Sequence, residues 1–247
     1  MPNWVFNGLT IDGNPEQVNK LVDQMNKPFA MIHDSWNMET QAMEVKQTTY
    51  PNPVFAFHNI YNHRQAGISD LDYVKQSPKD MPIAEQLEFK TNDWYSFNVR
   101  EWGTKWDVAV SSDNEYPDTY IEGPVEKGEN YNSLVYYNFQ TAWSPPFPAI
   151  EKLSAQYPSL LFTLCFEEET GWGGESEFLR GEMISQKDYE NKCRDCDSEN
   201  TLEYCENDCG EICSSCHYLA EADLEAVAKC QTHKIYLDTK VPTYRKV

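Results

Sequence analysis

Leu134-Val135-Tyr136-Tyr137-Asn138-Phe139-Gln140-Thr141 runs into Ser144-Pro145-Pro146-Phe147-Pro148, after which Ile150, Leu153 and Tyr157 recur at helical spacing. The first stretch is rich in β-branched and aromatic residues and reads as a strand. The second reads as a helix entry, with Ser144 as its cap and prolines in the entry turn. Ser159-Leu160-Leu161-Phe162-Thr163-Leu164-Cys165-Phe166-Glu167 is a second strand. Gly171-Trp172-Gly173-Gly174 then turns the chain into a segment from Glu175 to Ile184, expected to pair antiparallel with its predecessor.

Working outward, Val5 to Ile11 alternates as a half-buried strand and Asp12-Gly13-Asn14 marks a turn. Asn14 can cap a helix that has Pro15 at its first position and Val18, Leu21, Val22 and Met25 on one face. Residues 27–92 are less regular. Phe29 to Ile32 reads as a short strand, Val54 to Tyr61 as a strand or a short buried helix, and the rest as loop. Trp94 to Trp102 suits a helix capped by Asn92 or Asp93 and ended by Gly103. Trp106 to Val110 alternates as a strand, and Asp118 to Ile121 suggests an edge strand. The pattern is βα, an insertion, then αβ(β)βαββ. That is an α+β, ferredoxin-like class, a mainly antiparallel sheet with helices on one face. The expected domain spans 1–185 with an irregular insertion at about 30–92, followed by a cysteine-rich extension at 186–247.

The chain has 247 residues, 40% hydrophobic and 13% aromatic, which suffices for a packed core. No stretch approaches the roughly 18 apolar residues of a membrane span. The N-terminus lacks the basic region and apolar run of a secretory signal, so cytoplasmic residence is expected. A formal net charge of −20 with no Lys/Arg cluster opposes phosphate backbones, so direct nucleic-acid binding is disfavoured. It suits solubility, or an acidic surface for a basic partner.

Seven of the eight cysteines lie beyond Cys165. Cys165 itself sits in a strand and reads as a buried apolar thiol. Cys193-x2-Cys196, sixteen residues, then Cys213-x2-Cys216 fits a four-thiolate zinc site, a small zinc-ribbon-like module. Cys205, Cys209, His217, Cys230 and His233 are further candidates, for a second site or as substitutes for a knuckle ligand. Disulfides and an iron–sulfur cluster are the alternatives; the first is disfavoured by a cytosolic setting. The segment is acidic, with 12 Asp and Glu against 4 Lys and Arg from Lys187 to Lys229. Ala220 to Lys229 has the composition of a helix, and Ile235-Tyr236-Leu237 of a short strand.

No phosphate loop, nucleophile elbow, zinc-protease helix or dinucleotide fingerprint is present. No catalytic residue is therefore assigned, and a non-enzymatic protein is favoured over a metal-dependent enzyme. Two tryptophan-bearing stretches remain, Glu101-Trp102-Gly103-Thr104-Lys105-Trp106-Asp107 and Thr141-Ala142-Trp143-Ser144-Pro145-Pro146-Phe147-Pro148. They read either as anchors of helix to sheet or as a recognition groove of Trp102, Lys105, Trp106 and Trp143 with Glu167 or Glu169 at its rim.

With the opening Pro2-Asn3-Trp4 and the strand into Glu167-Glu168, these stretches resemble the YubB-like, ferredoxin-fold family carried by bacteriophages and conjugative plasmids. The resemblance covers about 1–30 and 92–185. It implies an accessory protein made inside a bacterial host and brings no activity with it. The resulting expectation is a protein that binds and modulates, and in one form inhibits, a host protein such as a defence or nucleic-acid-processing factor. The alternative is nucleic-acid interaction through an aromatic sheet platform.

The cysteine spacing predicts that native mass spectrometry with elemental analysis finds zinc bound to the chain. A metal-free chain at its bare mass would refute the four-thiolate site.

Overall fold

The computed structural model describes residues 3–74, 92–109, 119–127 and 132–189, and the backbone of the short strands at 202–204, 210–213 and 219–222. By its internal contacts the chain divides into two units, one of 1–169 with 175–187 and one of 170–174 with 188–247.

In the first unit Trp4–Gly13 forms β1, whose alternation buries Val5, Leu9 and Ile11 on one face. Helix α1 (Pro15–Met25) follows, with the Asn14 side chain accepting the Glu16 N–H and Val18, Leu21 and Met25 turned inward. Next comes a hairpin of β2 (Phe29–Asn37) and β3 (Ala42–Tyr50), a separate two-stranded sheet. A 3-10 turn at Phe57–Asn59 leads to α2 (Asp70–Val74) and α3 (Trp94–Glu101). Then come β4 (Tyr120–Lys127), β5 (Asn132–Ala142), α4 (Phe147–Gln156), β6 (Leu161–Glu168), β7 (Gly173–Leu179) and β8 (Glu182–Tyr189).

The main sheet has the order β4-β5-β1-β6-β7-β8. Within it β1, β4, β5 and β6, with α1 and α4, make a βαββαβ unit of spatial order β4-β5-β1-β6. The pairings β1–β5, β1–β6 and β4–β5 are all antiparallel. This is the expected ferredoxin-like arrangement. In the second unit β9 (Leu202–Tyr204), β10 (Gly210–Cys213) and β11 (Leu219–Ala222) form a sheet of order β11-β10-β9. Among the described residues no helix is long and apolar enough to cross a membrane.

Several local expectations change. The insertion holds a nine-residue-per-strand hairpin where only Phe29 to Ile32 read as a strand. It also belongs to the core. Phe55 stacks on Phe139 at 5.1 Å, and Phe57 meets Trp102 at 5.8 Å. Residues 106–109 are not a strand, because the Asp107 carboxylate takes the N–H groups of Val108 and Ala109 that a ladder would need. Ser144 does not cap α4. Pro146 stands at the N-cap without a side-chain bond, while Ser144 Oγ donates to the Gly103 carbonyl. The expected helix from Ala220 begins instead in β11, where pairing with β10 overrides propensity; 223–229 and 235–237 lie outside the described residues.

The two tryptophan stretches interlock. Besides the Ser144 bond, Thr104 Oγ1 donates to the Ala142 carbonyl at 3.0 Å, and Thr141 Oγ1 to that of Ser144 at 2.8 Å. Gly103 has φ +82, and a Cβ there would lie 2.5 Å from Pro148 Cδ. Both the backbone conformation and the space demand glycine. Asp107 ties in the insertion, its carboxylate accepting the N–H groups of Phe57 at 2.8 Å and His58 at 2.9 Å.

His58 stacks on Phe29 at 4.3 Å, and its buried Nδ1 has no hydrogen-bond partner in the structure. Burial pushes its pKa down to about 4; His63 and Arg64 push the same way and Asp70 opposes them.

Two outcomes follow. Gly103→Ala should destabilise the protein by about 2–4 kcal/mol, from left-handed strain and the Pro148 clash; denaturant unfolding at unchanged m would show it. For His58, the unfolded chain binds a proton below about pH 6.5 that the folded chain refuses until about pH 4. Stability should therefore fall across that window by on the order of 3 kcal/mol. His58→Phe keeps the stacking and should remove that loss. Equal losses of melting temperature in both proteins between pH 7 and 4.5 would refute it.

Candidate functional site

A cavity of about 590 Å³ opens in the first unit where the insertion meets one end of the main sheet. Met31, Ile32 and His33 of β2 and Tyr50 at the end of β3 form one side. Tyr73 and Val74 of α2 and Trp94 and Asn98 of α3 form another. Trp106, Asp107 and Ala109 come from the segment after α3, and Trp4, Gln140 and Ala142 from β1 and β5. The lining is mainly apolar and aromatic.

The walls are fixed from behind. Phe29, opposite Tyr50 in the hairpin register, stacks between the rings of Tyr50 at 4.6 Å and His58 at 4.3 Å. Tyr73 stacks on His63 at 4.0 Å and donates its hydroxyl to Asn98 Oδ1 at 2.8 Å. Asn98 Nδ2 in turn donates to the Lys105 carbonyl at 2.8 Å. Asp70 accepts from His63 Nε2 at 2.9 Å and from Arg64 Nε at 2.6 Å and Nη2 at 2.9 Å. The Arg64 guanidinium, then His63, hold Asp70 down at about 2. Burial lowers the pKa of His63, against the pull of Asp70.

Burial, then the charge of Asp107, pushes the Tyr50 hydroxyl up to about 12. Burial also raises Tyr73. Both phenols are therefore neutral hydrogen-bonding groups near pH 7. Asp107 accepts four backbone N–H groups, three on Oδ1 from Phe57, Val108 and Ala109 and one on Oδ2 from His58. Desolvation raises its pKa against the lowering effect of those donors. Those four donors hold the carboxylate in one orientation.

The expected groove forms only in part. Lys105 Nζ lies over the rings of Trp106 at 4.5 Å and Trp143 at 4.7 Å, so these three residues do meet. Trp143, at φ +76 and 43% exposed, also meets the Tyr95 ring edge-on at 6.1 Å. Trp102 does not belong to the group. It is buried, and its Nε1 donates to the Tyr61 carbonyl at 2.8 Å. Glu167 lies opposite Phe6 on the outer face of the sheet and does not line the cavity. Trp4, Tyr50, Tyr73, Trp94 and Asp107 line it without having been singled out as a site. Trp4 and Asp107 stand inside the quoted stretches, Trp94 begins the helix expected at 94–102, and Tyr50 and Tyr73 come from the insertion, whose sequence reads as loop.

The outer face of the main sheet is a second surface. Phe6 and Tyr120 are 48% and 45% exposed there. Tyr136 lies across Gly8, where a Cβ would come within 2.7 Å of its hydroxyl. Asp12, Glu167, Glu175 and Glu177 share this face through the two-residue period of β1, β6 and β7. Glu122 joins them through its pairing with Tyr136. The outward positions of β5, β1, β6 and β7 hold no Lys or Arg; Lys127 stands at the end of β4, opposite Asn132. Cys165 is exposed on this face rather than buried, its Sγ donating to Glu175 Oε2 at 3.4 Å. Position 165 falls on the outward phase of β6, which the sequence reading missed.

Of the expected zinc ligands, Cys193, Cys196, Cys216 and the further candidates Cys205, Cys209, His217, Cys230 and His233 lie outside the described residues. Cys213 ends β10, with its backbone paired to Leu202. Among the described residues no group of three or more His, Cys, Asp or Glu is arranged to hold a metal ion.

No curated protein matches the chain. One similar solved structure is the crystal structure of a protein api92 from Yersinia pseudotuberculosis, at 10% identity and a TM-score of 0.40, covering 78% of this chain and 100% of that one. Residues 105–216 match the family model described as a ferredoxin-like domain in Api92-like protein, and the strand order agrees with a ferredoxin-like fold, a likeness that carries no activity with it.

Proposed function

We propose that this chain is a non-enzymatic accessory protein of a phage or plasmid that binds a basic host protein in the bacterial cytoplasm through the outer face of its sheet. The observation that supports this reading is the composition of that face. Five carboxylates, Asp12, Glu122, Glu167, Glu175 and Glu177, share this face with the exposed rings of Phe6 and Tyr120. Aromatic rings bury area on contact, and the carboxylates steer a positive partner and repel a phosphate backbone. The net charge of −20 extends the same field. The cysteine-rich extension at 186–247 has no assigned part in this contact.

The exposed rings also favour a second reading, stacking of single-stranded nucleic acid on the sheet. The carboxylates beside them oppose it.

Charge reversal separates the two. Capture from nuclease-treated bacterial lysate should retain a basic protein at low salt and release it as salt rises. Glu167→Lys with Glu177→Lys should abolish that capture at low salt while leaving the melting temperature within a few degrees. A partner held equally by the reversed face, or a wild-type chain that shifts labelled single-stranded RNA or DNA in a gel, would overturn the reading.

A further inference from the structure

We infer that the cavity between the hairpin and the sheet end is a cage for an organic cation, the ammonium or guanidinium head of a lysine or arginine side chain on a protein partner. This rests on the basic-partner reading for the source of the side chain, though it uses a different surface.

The chemistry of the walls selects the occupant. Five rings, Trp4, Tyr50, Tyr73, Trp94 and Trp106, line a space of about 590 Å³. Ring faces carry negative potential and attract a cation placed over them, more strongly where water is excluded. One carboxylate, Asp107, stands in the same wall, and no Lys or Arg lines the cavity. An anion would meet that carboxylate with no Lys or Arg in the wall to offset it. A purely apolar group would strip water from it and return nothing. A cation on an apolar stem satisfies both parts of the wall, the stem against the rings and the head against the charge.

Asp107 is built for this. Its Oδ1 is filled by three backbone N–H groups, but its Oδ2 accepts one. A carboxylate oxygen has room for a further donor. The carboxylate is held in place before any ligand arrives, so binding needs little ordering of the wall. Asn98, fixed by Tyr73 and by the Lys105 carbonyl, adds a polar group that is equally immobile. The chain also shows the same chemistry in cis. The Lys105 ammonium already sits over Trp106 and Trp143 at 4.5 and 4.7 Å.

The test titrates the full-length chain with acetyl-Gly-Arg-Gly-amide, its lysine counterpart and its citrulline counterpart, followed by tryptophan fluorescence and calorimetry. Citrulline keeps the shape of arginine and loses the charge. The arginine and lysine peptides should bind saturably, at least tenfold more tightly than citrulline. Tetramethylammonium chloride should compete well beyond an equal concentration of sodium chloride, because it offers charge to the rings without hydrogen bonds. Trp106→Ala, at a position 38% exposed, should weaken the peptides at least tenfold with the melting temperature little changed; Trp94→Ala serves as the second variant. Glu167→Lys with Glu177→Lys should change peptide affinity less than twofold. Equal binding of arginine and citrulline peptides, or no effect of either tryptophan variant, overturns the cage. Loss of peptide binding on face reversal alone overturns the cage and leaves the sheet-face reading standing. Peptide binding lost only in the tryptophan variants, with partner capture unaffected by face reversal, supports the cage and removes that reading.

Discussion

The latch between Glu101–Asp107 and Thr141–Pro148 is the constraint on which the rest of the first unit depends. Gly103 lets the chain after α3 press against Pro148 at the start of α4. Ser144 and Thr104 close the contact by donating to the Gly103 and Ala142 carbonyls. The exit of α3 and the entry of α4 are therefore set by one another. Asp107, four residues beyond Gly103, then reaches the backbone of Phe57 and His58. A short stretch thereby joins the helix, the sheet end and the insertion. Buried N–H groups that lose such an acceptor are costly, which makes this stretch intolerant of change.

The main sheet of the first unit has two different faces. On the inner side of the sheet, Phe55, Phe57 and Trp102 pack with Phe139 and bring the insertion into the core. On the outer side, the strands keep rings and carboxylates exposed. The cavity lies at the sheet end, where the latch sets Trp106 and Asp107 beside residues of β2, β3, α2 and α3. Two of its polar groups, Asp107 and Asn98, are tied to the backbone.

The ferredoxin-like core was legible because its elements carry strong periodic signals. Val5, Leu9 and Ile11, or Val135, Tyr137 and Phe139, mark a buried strand face without help from the rest of the chain. Asn14 and Asp93 mark helix starts for the same local reason, and both do accept capping bonds. The hairpin was not legible. Ala42–Tyr50 carries Glu44, Lys46, Gln47, Thr48 and Thr49, so neither face of β3 shows an apolar period. Asp107 misled for a different reason: its neighbours alternate like a strand, but its own carboxylate captures the N–H groups that a ladder would use.

By itself the sequence determined the order of the elements in the ferredoxin-like core, the acidity of the chain, the cysteine spacing and the importance of the two tryptophan stretches. Those properties are local or compositional. Only the tertiary structure decided what the tryptophans do. Trp102 lies in the core, Trp106 lines a cavity, and Trp143 holds Lys105 at the surface. One stretch of seven residues places two of them in different environments because Gly103 reverses the backbone between them. Tyr50, Tyr73 and Trp94 join the same cavity from segments 20 or more residues apart. Their meeting depends on chain packing across those distances, which no local period records.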